Sequence, residues 1–299
     1  MANISVLLIG ASGTLGEPLL KELLHQKSSF ARIAILTTPD RAHKFHNLDV
    51  EVIASSLYDP LAYKGFTHVI SAVGNSLMIL QSAMIEAAIA AGVRHFYASE
   101  WNSDIAQKEI YDMRYFRDKQ AIRAFLRAKA AATPGFQYTI MITAIFTEWS
   151  VDGFYGFNHE KNTAQLYGLP DRRVGVTSIP DIARYTIDSL QLKFDGPERT
   201  LRVQGWTGKL SELIAALEVA RGRKYHVTYI DIKEAQEKQE EARLIGDDLQ
   251  EMMFSIKGLL TSGYGVADGA GALNNQLFTF KPEQPLQTFQ RVFLAETKR

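Results

Sequence analysis

The chain contains no cysteine, and that absence removes disulfides, thiolate nucleophiles and cysteine-held zinc or iron–sulfur centres from consideration. Net charge is missing too: 33 Lys+Arg balance 33 Asp+Glu, so no long-range field draws the molecule toward nucleic acid or anionic lipid. No basic stripe or aromatic run has the spacing of a recognised nucleic-acid module, and nucleic acid is not an expected partner. No apolar run approaches the ~20 residues that span a bilayer. The opening stretch MANISVLLIG passes straight into a strand pattern with no basic leader. A soluble, cytoplasmic protein without a membrane partner is expected. His25, His43, His46 and His68 fit surface or ordinary fold positions, no set of histidines makes a metal cluster, and no metal site is expected.

What is present is an ordinary globular composition, 46% hydrophobic and 22% charged over 299 residues. That is enough for one large α/β domain or a larger domain carrying a smaller lobe. Short β-branched runs at 5–9, 32–36, 50–54, 68–72, 95–99 and 137–142 predict strands, and helical periodicity covers 15–26, 76–91 and 112–131. Alternation of this kind, with strands apolar on both faces, predicts an α/β fold: a Rossmann-type, doubly wound parallel sheet over residues 1–150. Residues 151–299 are expected to form a smaller, mixed C-terminal substrate lobe, with some segments returning to the Rossmann body. Within it, helices are predicted at 178–190, 209–221 and 286–296, and strands at 200–203 and 226–230. The run DIKEAQEKQEEARL reads as a solvated helix with i,i+4 ion pairs. FTEWSVDGFYGFNH reads as a loop beside the sheet edge, and GLLTSGYGVADGAGALNN as a substrate-side loop or lid.

Gly10, Gly13 and Gly16 stand in G-x-x-G-x-x-G spacing between the strand SVLLI and a leucine-faced helix. In that position the first glycine allows a tight turn, the second lets backbone approach a pyrophosphate, and the third permits close helix–strand packing. Amides at the helix start then face the anion, with Ser12, Thr14 and Leu15 in the same loop. The missing G-K-[ST] ending disfavours a P-loop. The second strand ends at Thr37 and Thr38, followed by Asp40, Arg41 and Lys44. The threonines leave room for an adenosine 2′-phosphate and either cation can neutralise it, so NADP(H) is preferred over NAD(H); the same cations also suit a plain solvated helix start. Val73 and Gly74, after the fourth strand, are placed to cover the adenine and ribose side.

The fifth strand ends in ASEW, which puts Ser99, Glu100 and Trp101 at the carboxyl edge. The following YFRDK spaces Tyr115 and Lys119 four apart, on one helical face. A lysine beside a nicotinamide ribose can hold the cofactor and supply a proton directly or through water. A serine there can bind the substrate oxygen. Tyr115, Lys119 and Ser99 are the catalytic candidates.

The blocks GASGTLG, GFTHVISAVG, AMIEAAIAAGVRHFYASEW, RDKQAIRAFLRA, QYTIMITAIFTEW and SIPDIARY together make the chain resemble the NmrA-like, isoflavone reductase-like branch of atypical short-chain dehydrogenase/reductases, which includes phenylcoumaran benzylic ether reductase-like proteins. The resemblance implies that Gly10, Gly13 and Gly16 form the cofactor loop and that Lys119 is the proton-transfer lysine of the family's reductases. Many relatives grip the phosphate with an arginine at the end of the second strand, where this chain has Thr37 and Thr38. Trp101, Phe146, Trp149, Phe154, Tyr155 and Phe157 are expected to line a cleft for a small hydrophobic or aromatic substrate, or else to pack the lobe. Glu148 and His159 are further proton carriers by type. The function so implied is NADPH-dependent reduction in secondary metabolism. A non-catalytic NAD(P)-sensing regulator and a non-redox biosynthetic enzyme, catalysing cyclisation or rearrangement, remain as alternatives on the same fold, and no sequence feature fixes an oligomeric state.

Overall fold

A computed structural model describes residues 4–296. In chain order its first elements are β1 (Ser5–Ile9), α1 (Gly16–His25), β2 (Arg32–Thr37), β3 (Glu51–Ala54), β4 (His68–Ser71), α2 (Gln81–Ala90) and β5 (His95–Tyr97). Next come α3 (Lys108–Tyr111), α4 (Arg117–Ala132), β6 (Gln137–Ile142), β7 (Ile145–Phe146), β8 (Phe157–Asn158), β9 (Thr163–Tyr167), β10 (Arg173–Thr177) and α5 (Ile179–Asp188). The chain continues through β11 (Glu198–Arg202), β12 (Trp206–Lys209), α6 (Leu210–Arg221), β13 (His226–Ile230), α7 (Ile232–Ile245), α8 (Asp248–Lys257), α9 (Leu259–Ser262) and α10 (Pro285–Glu296).

The chain divides into two compact units. The first takes residues 1–100, 118–141 and 183–201. It is built on a seven-stranded sheet in the order β11-β6-β5-β4-β1-β2-β3. The pairs β1–β2, β2–β3, β1–β4, β4–β5 and β5–β6 are parallel. Strand order reverses between β1 and β4, and a crevice opens beyond the carboxyl ends of two strands whose connections leave in opposite directions. Val6 through Ile9 are buried, as are Ala34 through Leu36 and Val69 with Ile70, because a parallel sheet is covered on both faces. Helix α1 turns Leu19, Leu20 and Leu23 inward, at the spacing that defines one face. The Rossmann-type fold expected from the sequence is present.

The amino-terminal ends of β4 and β5 carry a polar interior. His68 and His95 face each other in register, their rings stacked at 5.0 Å, and His95 stacks on Tyr97 at 4.9 Å. Arg199 donates to Thr139 Oγ1 at 3.0 Å and to Tyr97 OH at 2.5 Å. Burial, helped by Arg199, lowers the His68 pKa to about 4; burial, then His68 and Arg199, lowers that of His95 to about 2.

The second unit takes residues 101–117, 142–182 and those from 202 on. It contains two three-stranded sheets, β12-β10-β7 and β13-β9-β8, around an apolar core that includes Ile145, Leu166, Val176, Leu213 and Phe289. Strands β9 and β10 come in addition to the expected ones; β9 alternates strictly, with Ala164 and Leu166 buried between less buried neighbours. The expected helix over 112–131 is broken. Met113 adopts an extended ψ of 128°, so the chain forms α3, a 3-10 turn over Arg114–Phe116, and then α4. The helix expected from 76 begins at Gln81, after a 3-10 turn over Asn75–Leu77. The aromatic loop expected over 146–159 begins with the second residue of β7 and contains β8. The glycine-rich stretch from 258 begins with buried Leu259 and Leu260 of α9. Gly265 and Val266 then accept from the amides of Gly175 and Asp104, which fastens this part of it into the unit.

Candidate cofactor and catalytic site

The glycine turn stands at the β1–β4 crevice. Ile9 pairs with Ser71, and the Ala72 amide donates to the Ile9 carbonyl at 2.9 Å. Gly10, next in line, has a φ of +83°, and a Cβ there would lie 2.4 Å from the Ala72 oxygen. At Gly16 a Cβ would meet the Gly10 oxygen at 2.0 Å. Both glycines are therefore required by the fold itself. Gly13 is different: its amide closes the turn on the Gly10 carbonyl at 3.0 Å, and a Cβ would find nothing nearer than 3.3 Å. Ser12, Gly13 and Thr14 are exposed, while Leu15 is buried beneath them. The result is an open cradle of amides at the head of a ten-residue helix, of the kind that fits a dinucleotide pyrophosphate.

At the end of β2, Thr37 is buried, whereas Arg41 and Lys44 lie exposed on a 3-10 turn. Between them the Asp40 carboxylate takes a hydrogen bond from Thr38, which holds its pKa below the usual range. Asp40 also stands 4.0 Å from Arg41 Nε. At the end of β4, Val73 is buried and Gly74 borders open space.

The exit of β5 is held from three sides. Ser99 N–H donates to Gln81 Oε1 at 2.9 Å, and Ser99 Oγ donates to the Val73 carbonyl at 2.7 Å. The Glu100 carbonyl accepts from Lys119 Nζ at 2.7 Å. Lys119 begins the inward stripe of α4, ahead of Ile122, Leu126 and Ala130, so helix periodicity delivers an ammonium into a position built for an apolar side chain. Burial lowers its pKa to about 8, with Arg123 adding to the shift and Glu100 opposing it. A lysine so placed exchanges its proton close to neutrality, which suits general acid–base work.

The structure places the remaining candidates in the second unit. Tyr115 is in the 3-10 turn ahead of α4, so it does not share a helical face with Lys119. Its amide donates to Ser255 Oγ at 3.0 Å and its ring meets Phe116 edge-on. Trp101 is buried with a left-handed φ of 32°. Tyr155 and Phe157 belong to the apolar core, with Phe154 packed against it. Phe146 is buried against Trp149, ring centroids 4.7 Å apart, and Trp149 itself is 43% exposed. Glu148 receives the Ile179 amide at 3.0 Å and Arg291 at 2.8 Å, yet burial raises its pKa. His159 Nδ1 lies 2.6 Å from Tyr225 OH. Sequence reasoning missed Gln81 and Arg123; the available signal was a glutamine opening an otherwise apolar helix, QSAMIEAAIA. Among the described residues no group of acidic or histidine side chains is placed to hold a metal, and no helix is long and apolar enough to cross a membrane.

An open doubly wound sheet with a glycine turn at its switch point defines a dinucleotide-binding fold of the Rossmann type. The chain belongs to the NmrA-like family, whose model matches residues 3–282, as the motif blocks implied. A curated relative, Oxidoreductase aprR from Aspergillus flavus, is 27% identical over 260 residues, covering 82% of this chain and 84% of its own. Among solved structures, leucoanthocyanidin reductase from Vitis vinifera in complex with NADPH superposes with a TM-score of 0.76 at 16% identity, over 97% of this chain and 99% of the other. AtPrR2, solved with NADP+ and (+)pinoresinol, superposes with a TM-score of 0.73 at 19% identity, over 97% and 98%.

Proposed function

We propose that the protein is an NADPH-dependent reductase of a small hydrophobic or aromatic metabolite, with proton transfer assisted by Lys119. The observation that carries this reading is a buried lysine, its pKa lowered to about 8, fixed on the main chain at the exit of β5 in the unit that holds the glycine cradle. The oxidoreductase name of its relative supports the class of reaction, and the NADPH and NADP+ in the solved neighbours support the cofactor. The aromatic (+)pinoresinol in one neighbour supports the class of substrate.

The nicotinamide, when bound, supplies the hydride. The amides of the Gly10–Gly16 turn hold the pyrophosphate, and Thr37, Thr38, Arg41 and Lys44 receive the 2′-phosphate side. Val73 and Gly74 would cover the adenine and ribose side with backbone. Lys119 Nζ orients the nicotinamide ribose and passes a proton to the substrate as charge develops there. Ser99 keeps the β4 and β5 ends together through its bond to Val73. Trp101, Phe146, Trp149 and Phe154 supply apolar surface for the substrate, with Tyr155 and Phe157 packed beneath.

The test is NADPH and NADH binding followed separately by fluorescence, then turnover of aromatic candidates followed by absorbance and product mass. Lys119→Met should bind NADPH within about threefold of the parent and lose roughly 10²-fold or more in kcat. Unchanged turnover in that variant rules out Lys119. A protein that binds NADPH and oxidises it with no candidate counts against the reductase reading.

A further inference from the structure

Two charged side chains stand behind Lys119 and have no part in the reaction just described. Arg123 follows Lys119 by four residues on α4, one turn along the same face. Its Nη2 donates to Glu100 Oε1 at 2.8 Å, and that carboxylate side chain is 1% exposed. The main-chain oxygen of the same glutamate takes the Lys119 ammonium at 2.7 Å. One residue therefore engages both cations, one by its carbonyl and one by its carboxylate. Gln81 and Val73 fix the preceding Ser99, so the glutamate backbone has an anchor that involves neither cation.

The ion pair is a poor stability device. Arg123 Nε is buried with no hydrogen-bond partner, so the guanidinium fork does not close on the carboxylate through that edge. A buried pair left partly unsatisfied gains little, because desolvation offsets its attraction. Its effect on a third charge nearby persists, since the interior screens weakly. Glu100 at the β5 exit and Arg123 on its own helix both act on the Lys119 charge.

We propose that Glu100 and Arg123 are positioning residues that together set how readily Lys119 gives up its proton, the carboxylate favouring the ammonium and the guanidinium opposing it. The consequence for turnover rests on Lys119 acting in the proposed reductase; the titration itself does not. Removing either partner moves the lysine in opposite directions, which a purely structural role would not do.

The experiment labels lysine ε-carbons with 13C and assigns the Lys119 signal by its loss in Lys119→Met. The cofactor-free protein is then titrated by NMR from about pH 6 to about pH 11, around the lysine range. Glu100→Gln is expected to lower the Lys119 midpoint and Arg123→Met to raise it, each by about one unit, the low end of what a neighbouring charge does. Arg123→Lys, which keeps the cation, should stay near the parent. Should Glu100→Gln not fold, an upward shift in Arg123→Met reversed in Arg123→Lys still supports the assignment. Shifts of one sign in both variants, or an unmoved midpoint in folded Arg123→Met, overturn it. If the NMR midpoints separate as expected while the pH profile of kcat stays fixed, this inference stands and the role of Lys119 in turnover falls.

Discussion

Substituting alanine at each of the three turn glycines separates what the fold needs from what a ligand needs. Gly10→Ala forces an L side chain into a φ of +83° and sets a Cβ 2.4 Å from the Ala72 oxygen, which belongs to backbone and has nowhere to go. Left-handed strain costs about 1–2 kcal/mol and overpacking about 1–3 kcal/mol, together roughly 2–5 kcal/mol. Gly16→Ala meets the Gly10 oxygen at 2.0 Å without the φ penalty, so about 1–3 kcal/mol is expected. Gly13→Ala meets nothing closer than 3.3 Å, and its stability should stay within about 1 kcal/mol of the parent. Gly13 is nevertheless the exposed point of the cradle, where in the proposed binding mode a methyl group would stand between backbone and pyrophosphate. NADPH affinity should drop at least tenfold, about 1.4 kcal/mol. Thermal unfolding by circular dichroism reads the first quantity and NADPH fluorescence titration the second. A Gly13→Ala protein that melts as early as Gly10→Ala, or that binds NADPH like the parent, refutes this division of labour.

Acid should act through the stacked histidines. The folded pKa of His68, about 4, lies below the unfolded value of 6.5, so its contribution is complete above pH 6.5 and is lost as pH falls toward 4. The gap corresponds to roughly 3 kcal/mol, and urea melts of His68→Phe should lose less stability than the parent across that window. Burial raises the Glu148 pKa, a sign that its charge costs stability at neutral pH. Glu148→Gln is expected to leave the melting temperature at pH 7 unchanged or higher, whereas Arg291→Met, which strands the carboxylate, should lower it by several degrees. Asp40 puts an exposed negative charge beside Arg41. Asp40→Ala should therefore tighten NADPH binding a few-fold at low salt and leave NADH unchanged; an equal effect on both cofactors would place the 2′-phosphate elsewhere.

The first unit was legible because its strands are short, apolar on both faces and punctuated by glycine. SVLLI and QYTIMI were placed to the residue. Strands β9 and β10 were missed because each is brief and half polar, and because β9's near partner β8 is only two residues long while its full-length partner β13 lies far along the chain, from His226 to Ile230. Periodicity cannot report such a partner. The break between α3 and α4 escaped for a related reason, since every residue from Asp112 to Phe116 tolerates a helix and only the extended Met113 interrupts it. Lys119 was singled out from its motif. What surrounds it was not: Gln81 lies 18 residues before the amide it accepts from, and Glu100 lies 23 before Arg123. A single strand cannot announce contacts of that range.

The last strand of the large sheet has a consequence for synthesis on the ribosome. β6 pairs on one side with β5, but its other edge waits for β11, whose approach is marked by the Pro197 carbonyl accepting from Tyr138. Until residues 198–202 leave the exit tunnel, a strand that is almost wholly buried in the finished fold therefore presents open hydrogen-bonding groups to its surroundings, a template for stray pairing. Nascent chains halted just before β11 should be captured by holdases and clipped by proteases, while chains released just after it should resist both.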